Sequence, residues 1–265
     1  MTFLLLSDKL NLSGILHFAQ GKEGNFMVNL SDIFDISKGD IVSIVGSGGK
    51  TTLMLKLAHE LKERYKVLVT TSTKIYMPVG DYDIHTNIDS FEKSLNNDKK
   101  NIAVIAKDLD EDNNKLIGID NKDLDILKKS FDIILIEADG SRGLPLKGWR
   151  ENEPVILNAT NKTIGIIPSN LICKSIDPSL VYNFDEFNIL IKNSKYLNFE
   201  SIKEICTNKN GIFKNSKGYQ YLFLNKADAK EDIINSKKLI AYLKEFNCNF
   251  QILYGSLKKE EYHEG

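Results

Sequence analysis

Asp40-Ile41-Val42-Ser43-Ile44-Val45-Gly46-Ser47-Gly48-Gly49-Lys50-Thr51-Thr52-Leu53-Met54 is the stretch whose reading decides the fold of this 265-residue chain. Its first half is an apolar run that suits a strand covered on both faces. From Thr51 onward, Leu53, Leu57, Ala58 and Leu61 recur at helical spacing, with charges opposite. Between strand and helix lies the turn Gly46-Ser47-Gly48-Gly49. Glycines let backbone N–H groups curl around phosphate oxygens, and the helix N-terminus adds partial positive charge. In that setting Lys50 reaches the β- and γ-phosphates, the Thr51 hydroxyl ligates Mg²⁺, and Thr52 continues the first helical turn. The expected ligand is a magnesium nucleoside triphosphate, with GTP and ATP both open.

Outward from this stretch, strand runs alternate with helical patterns. The runs are Val67–Thr71, Ile102–Ile105, Ile133–Ile136, Ile164–Ile167, Tyr221–Leu224 and Phe250–Leu253, after Ile41–Val45. Helical stretches are expected at Thr51–Arg64, Ser90–Leu95, Asp123–Lys129 and Ile233–Phe246. Such alternation predicts βαβ units. The fold class is α/β, P-loop nucleoside triphosphate hydrolase-like, with a mostly parallel sheet and helices on both faces. The polar segment 174–216 interrupts the rhythm and is expected to be an insertion beside the sheet, with one helix near Phe199–Cys206. Lys258–Gly265 is expected to be a mobile charged tail.

Three further segments carry chemistry. Phe131-Asp132-Ile133-Ile134-Leu135-Ile136-Glu137-Ala138-Asp139 is a buried strand ending in acids. Such carboxylates hold Mg²⁺ or its waters, or orient a nucleophile. Glu137 is favoured as the metal-side acid and Asp139 as its companion. Arg142 and Lys147 follow, and an arginine among glycines and acids suits a phosphate or carboxylate contact. Thr70-Thr71-Ser72-Thr73-Lys74 closes the second strand, where open α/β sheets bind ligands, and Thr71 is the expected contact to phosphate or metal water. Asn225-Lys226-Ala227-Asp228 follows a late apolar strand. It has the NKxD form in which Asp228 accepts from a guanine N1–H and amino group while the Lys226 stem lies along the ring, and Asn225 with Asp228 is expected to read the base.

Composition narrows the classes. A net charge of −1 argues against a nucleic-acid binder, which would show a basic surface. Hydrophobic content of 42% with 27% charged residues predicts a real core. Cys173, Cys206 and Cys248 are scattered and odd in number, which suits reduced thiols in the cytoplasm. No apolar run reaches the roughly 18 residues that span a bilayer. Phe3-Leu4-Leu5-Leu6 is too short for a secretory core. Lys22-Glu23-Gly24 can be encoded by a ribosome-binding sequence ahead of Met27, so residues 1–26 are expected to be either a non-native or disordered extension or an ordinary polar arm. Residues 27–265 are then a single P-loop domain.

The segments Val45–Met54, Val67–Ile75, Ile136–Lys147, Glu151–Ile156 and Leu224–Asp228 together resemble the YqeC family. The run Glu137-Ala138-Asp139-Gly140-Ser141-Arg142-Gly143-Leu144-Pro145-Leu146-Lys147 is the most specific part. The resemblance spans about Asp40 to Leu257. It implies an accessory protein of selenium-dependent molybdenum hydroxylases that helps assemble or insert a selenium cofactor, with a selenium donor or the hydroxylase as partner. Asn152 stands where the family usually has histidine, Pro168 replaces a glycine, and Tyr182-Asn183 replace a His-Arg pair. These departures bear on a second-substrate site and leave phosphate binding intact. The shortened GxxGKTT loop is similar to that of the Mur ligases. Three readings therefore stand: an NTP-hydrolysing maturation factor, an ATP-dependent ligase or kinase acting on a small substrate, or a non-catalytic nucleotide-gated scaffold that only binds.

Overall fold

A computed structural model of the chain describes residues 29–78, 82–88, 91 and 101–265. The proposed extension 1–26 and most of the helix expected at Ser90–Leu95 lie outside the described residues.

The strands are β1 Ile41–Gly46, β2 Val67–Thr71, β3 Lys74–Tyr76, β4 Asp83–His85, β5 Ile102–Ile105, β6 Asp108–Asp110 and β7 Lys115–Ile117. They continue with β8 Ile133–Glu137, β9 Leu146–Lys147, β10 Lys162–Pro168, β11 Val181–Tyr182, β12 Tyr219–Asn225, β13 Gln251–Ser256 and β14 Glu261–Glu264. The helices are α1 Leu30–Ile33, α2 Lys50–Leu61, α3 Asn121–Leu127, α4 Phe184–Leu190, α5 Phe199–Thr207 and α6 Lys230–Lys244.

Nine strands form the main sheet in the order β14-β13-β12-β10-β1-β8-β2-β5-β4. All neighbours pair in parallel except β13 with β14. β1 lies centrally, with β8 on one side and β10 on the other. From β1 the chain passes to β2 and out to the edge at β4, returns through β5 to β8, and then crosses β1 to run outward through β10, β12, β13 and β14. The carboxyl ends of β1, β8 and β10 thus meet at a topological switch point, where open α/β sheets leave a crevice for ligands.

Both faces of this sheet are covered, which is why β1, β2, β8 and β10 are buried along their whole lengths. Leu53, Met54, Leu57, Ala58 and Leu61 of α2 pack with Val42, Ile44, Val69 and Leu135 on one face. Each larger side chain among them contributes roughly 2 kcal/mol by leaving water. On the other face Val45, Leu222 and Leu224 pack with Phe187 of α4, Ile202 of α5 and Leu239 of α6. Leu124 and Leu127 of α3 cluster with Leu68 and Ile134. Asp120 caps α3 by accepting from the backbones of Lys122 and Asp123.

Two expectations are corrected. The final residues are not a loose tail: β14 pairs with β13, Tyr262 meets Phe223 edge-on at 6.4 Å, and His263 stacks on Tyr254 at 4.8 Å. Segment 174–216 carries α4 as well as α5, and it contributes β11, whose Val181 and Tyr182 pair with Leu146 and Lys147 of β9. That two-stranded ribbon ties the segment to the loop after β8. Gly148 permits it, because a Cβ there would collide with the backbone of Asn183 and Phe187.

Candidate functional site

The turn after β1 begins under the sheet end. Gly46 donates its N–H to Asp139 Oδ2 at 3.0 Å. Ser47 is buried, donates its hydroxyl to Pro145 O at 2.8 Å, and donates its N–H to Ile166 O. Gly48, Gly49, Lys50, Thr51 and Thr52 then line a cleft of about 1120 Å³. Gly49 has φ 139°, a conformation that side-chain-bearing residues avoid, and this allows the turn to enter α2 abruptly.

Lys50 is 4% exposed and donates to Gly46 O at 2.7 Å. Its Nζ also lies 3.3 Å from Asp139 Oδ1, 3.5 Å from Glu137 Oε1 and 3.4 Å from Ser141 Oγ. Burial alone would pull the ammonium pKa down, but the carboxylates of Asp139 and Glu137 outweigh it and hold the value above the ordinary lysine range. Lys50 is therefore a fixed cation.

Glu137 ends β8 and is buried, with Oε2 accepting from Thr51 Oγ1 at 2.7 Å. Burial pushes its pKa up against the opposing pull of Lys50 and Thr51. A hydroxyl and a carboxylate oxygen so close are hard oxygen donors of the kind Mg²⁺ takes, and Mg²⁺ ordinarily keeps waters and phosphate oxygens as its remaining ligands. No group of three or more His, Cys, Asp or Glu suits a metal among the described residues. Thr51 with Glu137 fits a magnesium completed by phosphate.

Asp139 is placed differently from its expected role at metal or water. It is fully buried, and Oδ2 is already engaged by Gly46 N–H, by Trp149 Nε1 at 2.7 Å and by Lys147 Nζ at 3.2 Å. Oδ1 accepts no hydrogen bond and faces Lys50. This carboxylate anchors the phosphate turn from below. Thr71 is also corrected: it is fully buried and its hydroxyl donates to Glu137 O at 2.8 Å, so it braces the Glu137 strand end. Thr70 and Ser72 spend their hydroxyls on Ile105 O and Val155 O. Thr73 lines the cleft instead.

At the other end of the turn, Asn225 is 3% exposed, donates to Gly48 O at 2.8 Å and accepts from Leu257 N–H at 3.1 Å. Lys226, with φ 62°, and Asp228 line the cleft beyond it, together with Ser256, Leu257 and Lys258. Asp228 Oδ1 is buried without a hydrogen-bond partner. Arg142 is exposed, has φ 50°, and lies with its guanidinium carbon 5.3 Å from the Tyr182 ring centre.

Three residues of this neighbourhood have places that sequence reasoning did not assign. Lys147 is fully buried between Asp139, Glu153 and Gly140 O. Its position in the most family-specific run was the available signal. Trp149, which holds Asp139, was signalled only by being the sole tryptophan. Tyr182 reaches the cleft through β9–β11 pairing, which local pattern cannot reveal.

A phosphate-type turn leading from the central strand into α2, beside a strand ending in Glu137, defines a P-loop α/β protein. A model of the family described as YqeC protein matches residues 42–185, over half of the chain. The chain belongs to the YqeC family. The uncharacterized protein YqeC of Escherichia coli (strain K12) is 27% identical over 212 residues, covering 77% of this chain and 83% of that protein. Among solved structures, a GTPase in apo form from Pyrococcus abyssi is similar at 14% identity and TM-score 0.34, over 84% of this chain and 92% of that one. No described helix is long and apolar enough to cross a membrane.

Proposed function

We propose that this chain is a cytoplasmic, magnesium-dependent GTP-binding protein that hydrolyses its nucleotide while serving the maturation of a selenium-dependent molybdenum hydroxylase. The observation that carries the guanine reading is Asp228 Oδ1, a buried acceptor with no partner among the described residues, on a residue that lines the cleft. A buried carboxylate oxygen left without a donor is costly unless a ligand supplies one, and a guanine offers N1–H and an amino group. Asn225 supports the same reading by fastening the phosphate turn to the Leu257 loop, so both ends of one nucleotide meet a single framework.

The chain's own groups divide the work. Backbone N–H groups of Gly48 to Thr51 and the α2 N-terminus hold phosphate oxygens. Lys50 leaves its carboxylates to meet the β- and γ-phosphates. Thr51 and Glu137 would hold the metal, which would supply charge neutralisation to the phosphates. Asp139 keeps the turn and Lys50 in place. The selenium role and a selenium-donor or hydroxylase partner rest on the family resemblance.

Calorimetric titration with non-hydrolysable GTP and ATP analogues and Mg²⁺ tests the reading. The expected result is GTP-analogue preference that Asp228→Asn removes and affinity that Lys50→Ala lowers by about 100-fold, near 2.7 kcal/mol. ATP-analogue preference indifferent to Asp228 would instead support the ligase or kinase reading, which the GxxGKTT spacing favours. For the selenium role, loss of the gene should deplete selenium from the hydroxylase without lowering its polypeptide.

A further inference from the structure

The cleft, about 1120 Å³, stands at the upper end of small-molecule pockets, which run to roughly 300–1,000 Å³. The turn, Asn225, Asp228 and Ser256–Lys258 line one part of it. A second set of lining residues is Ser141–Pro145, Glu153 and Tyr182, with Thr73–Pro78 and Lys115. Ser141 Oγ, 3.4 Å from Lys50 Nζ, marks the junction of the two parts.

This second part is cationic in an unusual manner. Arg142 and Lys115 have no carboxylate partner among the described residues, and each is backed by an aromatic ring: Arg142 by Tyr182 at 5.3 Å, Lys115 by Tyr76 at 4.7 Å. Lys74 on the same wall is paired with Asp110 at 3.0 Å, and Lys147 beneath is paired with Asp139 and Glu153. A guanidinium stacked on a ring keeps its in-plane N–H fork free for an oxyanion. Arg142 also holds a left-handed backbone conformation, although Gly140 and Gly143 stand nearby to serve a turn. Strain of this kind clusters at ligand clamps.

We infer that the cleft holds two ligands side by side: the nucleotide, and beyond its γ-phosphate a small co-substrate bearing an oxyanion, phosphate-like or carboxylate, gripped by Arg142 with Lys115. This inference rests on the nucleotide reading above. It gives β9–β11 pairing a purpose, since Tyr182 is delivered to the cleft by that ribbon from a separate part of the chain.

The test loads the full chain with a non-hydrolysable GTP analogue and Mg²⁺, then titrates orthophosphate and, separately, malonate by calorimetry. Each variant is loaded above its own measured Kd for the analogue. The expected result is that at least one anion binds the loaded protein, and that Arg142→Asn weakens it at least tenfold. Asparagine tolerates the left-handed backbone, so the loop is kept. Lys115→Met should weaken the same anion by a smaller factor, and the comparison of phosphate with malonate gives the class of the acceptor. Anion binding that appears only in nucleotide-free protein and is competed by the analogue would overturn the inference and return Arg142 to the γ-phosphate. Undiminished binding in both variants, or none to the loaded wild type, would overturn it equally. Failure of the analogue itself to bind would overturn the nucleotide reading, and this inference with it.

Discussion

Trp149 donates its indole N–H to Asp139 Oδ2 across 2.7 Å, on the carboxylate whose other oxygen faces Lys50. The only tryptophan of the chain therefore stands directly beneath the phosphate turn. When Lys50 turns toward a triphosphate, the charge beside the indole changes. Binding of a magnesium nucleotide should produce a saturable change in intrinsic emission, and Lys50→Ala should move its midpoint by about 100-fold. Emission that stays constant while calorimetry reports binding would show that Asp139 does not feel the ligand.

Asp139→Asn should damage the fold before it damages chemistry. The substitution leaves Lys147, with a fully buried side chain, Glu153 at 3.5 Å as its remaining carboxylate beside Gly140 O, and removes the nearer carboxylate from Lys50. Breaking a buried charge pair from one side costs about 3–5 kcal/mol. Urea denaturation of the nucleotide-free protein measures it, with Trp149→Phe as the milder comparison at about 1–2 kcal/mol. A loss in Asp139→Asn below that of Trp149→Phe would contradict an anchoring role.

Glu137 should leave a pH signature of definite sign. Its pKa is raised in the fold, chiefly by burial, so the native state holds this proton more tightly than the unfolded chain does. Stability from this group is fully present below the ordinary glutamate range and declines as pH rises through the raised value. Glu137→Gln removes that decline. The melting temperature of the nucleotide-free variant should gain on wild type between acidic and neutral pH. Magnesium nucleotide should then reverse the order at neutral pH, because glutamine is a poor magnesium ligand. A variant that loses ground with rising pH would argue that the Lys50 pair outweighs desolvation.

The β14 edge is open to direct measurement. Amide hydrogen exchange over Glu261–Glu264 should be slowed to the level of β13, its antiparallel partner. Tyr262→Ala should cost about 1–2 kcal/mol through lost contact with Phe223. Exchange as fast as in an unstructured peptide would remove β14 from the sheet.

What was legible in the sequence was what local pattern encodes. Val67–Thr71 and Ile102–Ile105 were bounded to the residue, because short runs that are mostly β-branched, between polar stretches, admit few other readings. The phosphate turn was visible because glycines, a lysine and threonines must be adjacent in the chain to surround phosphate. The short strands β3, β6 and β7 were missed: three residues each is too little for periodicity, and their antiparallel pairing is a tertiary fact. Asp139 was given the chemistry of its neighbour Glu137, since spacing puts both on one side of the strand. Only packing separates them, by setting Trp149 and Lys147 against one and Thr51 against the other. Thr71 was misassigned for a similar reason, as a hydroxyl near a strand end can serve the backbone as readily as a ligand.

The contact between Asn225 and the phosphate turn bears on descent as well as on binding. Any side chain at Gly49 would run into the Asn225 amide, and that amide holds Gly48 O on one side and Leu257 N–H on the other. Neither position is free to drift alone. A descendant that acquires a residue other than glycine at 49 must shorten 225 in the same lineage, losing the clasp as it does so. Across relatives the two sites should change together, so the history of the base loop is written partly in the phosphate turn.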